Sequence, residues 1–124
     1  MLTTSRLIAM LPTARPEAAR RFYGETLGLT LTADHPQLMI FEDGPARLHL
    51  QKVAAFTPQP FTCAGWHVAD IRASARALAA RGVVFERFPG LDQDPDGLWT
   101  PPGSTAAVCW FKDPDGNLLS LSQG

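Results

Sequence analysis

Apolar positions recur along this chain with two different periods, and each change of period marks the end of an element. Residues 7–11 form an apolar run in which Leu7, Ala9 and Leu11 alternate with Ile8 and Met10, the pattern of a buried strand. Ala19, Phe22, Tyr23 and Leu27 then fall at helical spacing behind Pro16, whose missing N–H suits a first helical turn. Gly28 predicts the end of that helix, where the backbone takes positive φ. Short apolar alternations at 29–32, 38–41 and 47–52 read as strands, the last two separated by the turn chemistry of Asp43-Gly44-Pro45.

The pattern then repeats. After a proline-bearing connection at 54–60, residues 63–68 read as a strand. Asp70 stands as N-cap of a helix with Ile71, Ala75, Leu78 and Ala79 on one face, and Gly82 closes it. Residues 83–88 return as a strand. Residues 106–112 and 118–123 form a hairpin about Asp113-Pro114-Asp115-Gly116-Asn117. Gly28 and Gly82 lie 54 positions apart, and Ile8 and Cys63 lie 55 apart. His49-Leu50-Gln51 corresponds to Ser120-Leu121-Ser122 at an offset of 71, and the 16 additional positions are carried by the loop at 89–103. The prediction is an α+β fold: two βαβββ modules, about 5–53 and 61–124, in one domain, forming a curved eight-stranded sheet around a central cleft. The seam between two such repeats is a natural place for a ligand.

Composition narrows the function classes. The 124 residues carry 11 Lys+Arg against 12 Asp+Glu, a formal net charge of −1, with no basic run. Nucleic acid is therefore not an expected partner. Arg72, Arg76 and Arg81 read as the solvated face of the second helix. No apolar stretch is long enough for a membrane span or a secretion signal, so a cytoplasmic location is expected. Cys63 and Cys109 sit in unrelated strands without CxxC spacing and are expected to be buried structural thiols.

Strand parity sorts the side chains into two faces. Leu7, Ala9 and Leu11 share a face with Leu48 and Leu50 in the first module. Ala64, Trp66, Val68, Leu119 and Leu121 share one in the second. These should pack under the helices. The opposite face carries Ile8, Met10, Arg47, His49 and Gln51, and in the second module Cys63, His67, Ser120 and Ser122. Trp110 is either core or cavity wall. A mostly apolar surface with scattered polar groups suits a small-molecule site, and equally a surface closed by another subunit.

Two strings resemble the vicinal oxygen chelate superfamily, which contains glyoxalase I, extradiol dioxygenases and the fosfomycin- and bleomycin-resistance proteins. They are Phe22-Tyr23-Gly24-Glu25-Thr26-Leu27-Gly28-Leu29 and Trp110-Phe111-Lys112-Asp113-Pro114-Asp115-Gly116-Asn117. The resemblance implies a homodimer. It also implies that a metal, where used, is held from the opening and closing strands of each module. Those positions fall here on Ile8, His49, Cys63 and Ser120, of which only His49 is a good ligand. No metal and no other cofactor is therefore expected. The expected function is a metal-free small-molecule-binding protein of this glyoxalase/bleomycin resistance/dioxygenase-like kind. The alternatives are a metal-free enzyme using pocket His, Cys or Ser groups and, ranked last, a metal-dependent lyase or dioxygenase with a relocated site.

The remaining motifs change little. Asp92-Gln93-Asp94-Pro95-Asp96-Gly97 imitates the start of a calcium loop, but Gly103 stands where a bidentate glutamate is required, so a solvated turn is expected. No phosphate-binding glycine motif or nucleophile elbow occurs. Trp99 lies in the long loop, where an indole packs the loop down, covers a pocket or meets a partner.

Overall fold

The computed structural model describes residues 1–124. It divides into two compact units, Met1–Thr57 and Pro58–Gly124.

In the first unit the order is β1 (Ile8–Thr13), α1 (Pro16–Arg21), β2 (Thr30–Asp34), β3 (Leu38–Asp43) and β4 (Ala46–Lys52). The four strands form one sheet in the order β1-β4-β3-β2, with β1 parallel to β4 and the other pairs antiparallel. Pro16 occupies the first turn of α1, as its fixed φ favours. The helix runs on into a π turn at Phe22–Thr26, closed by the Leu27 N–H donating to the Phe22 carbonyl at 2.9 Å. That wider turn accompanies the full burial of Tyr23, whose ring lies 5.9 Å from that of Phe41. Gly28 follows at φ 78°, a conformation costly for any residue with a Cβ. The register aligns Leu11, Leu50 and Met39, and Ala9, Leu48 and Phe41, on one face. All but Ala9 are buried. Each large apolar side chain so removed from water contributes about 1.5–3 kcal/mol before entropy is counted. Leu7, assigned to this face from sequence, precedes the strand and is 95 % exposed.

In the second unit the order is β5 (Thr62–His67), α2 (Ile71–Ala80), β6 (Ala107–Lys112) and β7 (Leu118–Gln123). The sheet order is β5-β7-β6. The Asp70 carboxylate accepts from the Ala73 N–H at 3.0 Å and caps α2. Trp66, Leu121 and Cys109 align, as do Ala64, Leu119 and Phe111. Trp66 stacks on Phe111 with centroids 6.5 Å apart.

The expected eight-stranded sheet is corrected to two sheets, of four and three strands. The segment at 83–88 is not a regular strand. It touches β6 through a single bridge, Phe85 to Phe111, with the Glu86 N–H donating to the Trp110 carbonyl. A second bridge, Trp99 to Val108, covers the same edge of β6 further along. The reason is local. The Gln93 side chain accepts from the Phe88 N–H at 2.8 Å and donates to the Glu86 and Gly97 carbonyls at 2.9 and 3.1 Å. A side-chain amide has replaced a ladder.

The turn expected at 92–97 keeps Asp92 and Pro95 exposed, but its other carboxylates are tied down. Asp94 accepts from the Asp96 and Leu98 N–H groups and pairs with Arg72. Asp96 pairs with Arg72 and Arg76, and Arg87 donates to the carbonyls of Gln93, Asp94 and Pro95. Arg72 and Arg76 lie on the exposed face of α2, as expected, and from there tie it to this loop.

Candidate functional site

The first unit gathers five expected residues on one sheet face. Three cross-strand rows build it: Ile8, Arg47 and Glu42; Met10, His49 and Ile40; Pro12, Gln51 and Leu38. Arg47 is neutralised by Glu42 at 3.3 Å. Ile8 and Met10 leave 40 % and 52 % of their surface exposed, which is unusual for large apolar side chains on neighbouring rows. Between Met10 and Ile40 stands His49. Its Nε2 is buried and makes no hydrogen bond. Such an atom loses its hydration without compensation, a cost of about 1–3 kcal/mol. Natural proteins retain few of these groups without a use for them.

The second unit gathers four of its five. Gly65, Ser120 and Trp110 form one row, and His67, Ser122 and Val108 the next. Trp110 therefore belongs to this mixed face and not to the core. Cys63 stands apart. The pairing of β5 with β7 skips it, because a bulge lies between Thr62 and Ala64. The residue is exposed, which corrects the expectation of a buried thiol. Its sulfur donates to the Leu118 carbonyl at 3.3 Å. Desolvation, reinforced by the Asp113 carboxylate, raises its pKa, so it lacks the low pKa of an activated nucleophile. Cys109 is buried as expected, and desolvation pushes its thiol up to about 11.

Sequence reading missed Ile40 and Glu42, though their alternation with Met39 and Phe41 signals them. It also missed Gly65. A Cβ there would lie 2.3 Å from the Ser120 Oγ and 3.1 Å from the Ser120 carbonyl oxygen, so the glycine makes room for both the hydroxyl and the β7 backbone beside β5. A glycine inside a strand pattern is the available signal.

A strand–helix–three-strand unit followed by a strand–helix–two-strand unit, each with a mixed sheet face, defines an α+β fold of the glyoxalase kind. Residues 7–121 match the Glyoxalase/Bleomycin resistance protein/Dioxygenase superfamily, and the chain belongs to it. Among solved structures the chain is similar to a glyoxalase family protein from Enterococcus faecalis, at 18% identity and TM-score 0.78, covering 98% of this chain and 99% of that one. A lactoylglutathione lyase from Agrobacterium tumefaciens is similar at 18% identity and TM-score 0.73, with 97% and 94% covered. An integron cassette protein from the mobile metagenome of the Halifax Harbour sewage outfall is similar at 20% identity and TM-score 0.72, with 97% and 99% covered. No curated protein matches the chain. No helix is long and apolar enough to cross a membrane.

The donor chemistry does not fit a divalent metal at the positions the superfamily resemblance points to. Ile8 has no donor atom. The Cys63 thiol is committed to a carbonyl and its pKa is raised, whereas a metal ligand must be a thiolate. Ser120 offers only a neutral hydroxyl. No three His, Cys, Asp or Glu side chains gather anywhere in the chain to hold an ion.

Proposed function

We propose that this protein binds a small organic molecule without a metal ion, and that His49 supplies the buried hydrogen-bonding atom. The observation that carries this reading is the unpartnered Nε2 of His49, set between Met10 and Ile40 on a face where Ile8 and Met10 stand exposed. A ligand group placed there satisfies the imidazole, and its apolar body covers the two exposed side chains. Superfamily membership supports the same reading, since its scaffold hosts binders as well as enzymes. Arg47 is a secondary feature, because Glu42 already offsets its charge. The remaining first-unit candidate, Gln51, stands exposed in the adjoining row and offers amide contacts. We read the chain as a homodimer, as the resemblance implies, and as cytoplasmic, as the lack of a long apolar stretch suggests; sedimentation would test the dimer.

The test uses tag-free protein labelled with ¹⁵N. Its histidine and indole signals are followed while a mixed fragment library is added, and its metal content is measured in parallel. Fragments that bind should shift the His49 Nε2 signal. His49→Phe should weaken them about tenfold, the equivalent of about 1.4 kcal/mol for one buried hydrogen bond. One tightly held zinc, nickel, iron or manganese ion per chain would overturn the metal-free reading. Binding that leaves His49 undisturbed would overturn the assignment of its role.

A further inference from the structure

The mixed face of the second unit has a composition of its own. Trp110 lies at its centre, with Trp99 6.1 Å away at an interplanar angle of 35° and Phe88 5.3 Å away, edge-on at 87°. These rings come from three separate segments, so their meeting needs an explanation. Trp99 is fixed by a reciprocal pair of backbone hydrogen bonds with Val108, each 2.9 Å. Phe88 is fixed by the Gln93 side chain, which accepts from its N–H. All three rings are half-buried, and none belongs to the core under α2.

Beside Trp110 lie polar groups of the same sheet face. Ser120 pairs across β7 with both Trp110 and Gly65, and the missing side chain of Gly65 makes room for its hydroxyl. Ser122 follows two residues on. Charge on this face cancels: Lys112, two residues from Trp110 and so on the same side of β6, lies 3.5 Å from Glu86.

We infer that this face is a stacking platform for a planar, uncharged ring carrying a hydroxyl or carbonyl group. The inference rests on the reading above that the protein binds a small organic molecule, and it names the class. Aromatic faces attract other rings through offset or edge contacts beyond simple burial. The half-buried indoles offer such contacts, and Ser120 and Ser122 bond the polar substituent at the ring edge. A charged ring would lose hydration without meeting an opposite charge, because Lys112 and Glu86 already offset each other.

The test compares 2-naphthol with decahydro-2-naphthol, which carries the same hydroxyl on a saturated skeleton. Binding is followed through the indole ¹⁵N–¹H signals of Trp99 and Trp110. The planar compound should bind at least about tenfold more tightly, within the range measured for base–aromatic stacking. It should move both indole signals by ring-current shifts. Trp110→Leu should abolish the preference while leaving the saturated compound within about twofold. Trp99→Leu, a loop substitution, should reduce the preference if Trp110→Leu does not fold. 2-Naphthoate should bind more weakly than 2-naphthol. Equal affinity for the two alcohols, tighter binding of 2-naphthoate, no binding of 2-naphthol, or a preference that survives both substitutions would each overturn the inference. The small-molecule reading falls separately: fragments that shift His49 leave it standing even where 2-naphthol fails to bind the indoles.

Discussion

Removing the Gln93 side chain tests why residues 83–88 escape the sheet. Its amide makes three hydrogen bonds of 2.8–3.1 Å to the backbone of Phe88, Glu86 and Gly97. At about 1 kcal/mol net each, their loss would cost about 3 kcal/mol. Water reaches part of the half-buried site, and the freed backbone groups recover some hydration, so about 1.5–2 kcal/mol is expected for Gln93→Ala. In urea, with a slope of about 1.5–2 kcal/mol/M, the midpoint should fall by about 1 M. The Phe88 amide should exchange faster with deuterium. Gln93→Glu gives a sharper control. It can still accept from the Phe88 N–H, but its carboxylate faces the Glu86 and Gly97 carbonyls and cannot donate. At pH 7 it should be at least as unstable as Gln93→Ala, and it should regain stability in acid as it protonates. A Gln93→Ala protein within about 0.5 kcal/mol of the parent, or a Gln93→Glu protein equal to it at pH 7, would refute the account.

Three further outcomes are expected. His49→Phe should leave stability unchanged or raise it by about 1 kcal/mol, since it removes a buried nitrogen with no partner; a loss above about 1 kcal/mol in urea titration would show that the imidazole serves the fold. Acid should loosen the 89–103 loop through Asp94: desolvation alone would raise its pKa, but the Arg72 contact and the Leu98 and Asp96 N–H groups together hold it below 3.8. A depressed carboxylate contributes fully above its unfolded pKa and loses that contribution as pH falls through the folded value. Stability should therefore decline from about pH 4 downward, and Asp94→Asn should flatten that decline; an unchanged slope would refute it. Finally, with Cys109 raised to about 11, about one molecule in a thousand carries its thiolate at pH 8. A disulfide reagent should modify Cys63 first and Cys109 only on unfolding, so equal native rates would contradict the burial.

The elements set by local chemistry were legible in the sequence. Both helices end at glycines with φ of 78° and 95°, as their spacing required. Alternation placed Leu11, Leu48, Leu50, Leu119 and Leu121 in the core because β1 with β4, and β7 with β5 beyond the bulge, run in simple register. Alternation fails where one residue is extra. The bulge after Thr62 takes Cys63 out of step, and no feature of Thr62-Cys63-Ala64 announces it. The lost strand at 83–88 has the same origin at longer range. Val83 to Phe88 carries a respectable strand pattern, but the Phe88 N–H and the Glu86 carbonyl are taken by the side chain of Gln93, and sequence periodicity does not count side chains as partners.

The candidate site was legible for a different reason. Its residues break the rule that their strands otherwise obey. On β4, Leu48 and Leu50 face the core, while His49 between them faces Met10 and Ile40 without a hydrogen bond at Nε2. Stability alone would favour an apolar side chain there, or a partner for the nitrogen. On β5, Gly65 gives up strand propensity so that the Ser120 hydroxyl can lie across it. Both choices cost folding free energy and neither improves the core. Local sacrifices of this kind are expected where a sequence serves something besides its own fold. The two units make them at different strands and with different chemistry, a histidine among aliphatics in one and a serine beside indoles in the other. Gly65→Ala separates binding from packing. It should improve strand propensity yet displace the Ser120 hydroxyl, so binding of 2-naphthol should weaken even where urea titration shows little loss of stability. Undiminished binding in a stably folded Gly65→Ala protein would mean that the glycine serves packing alone.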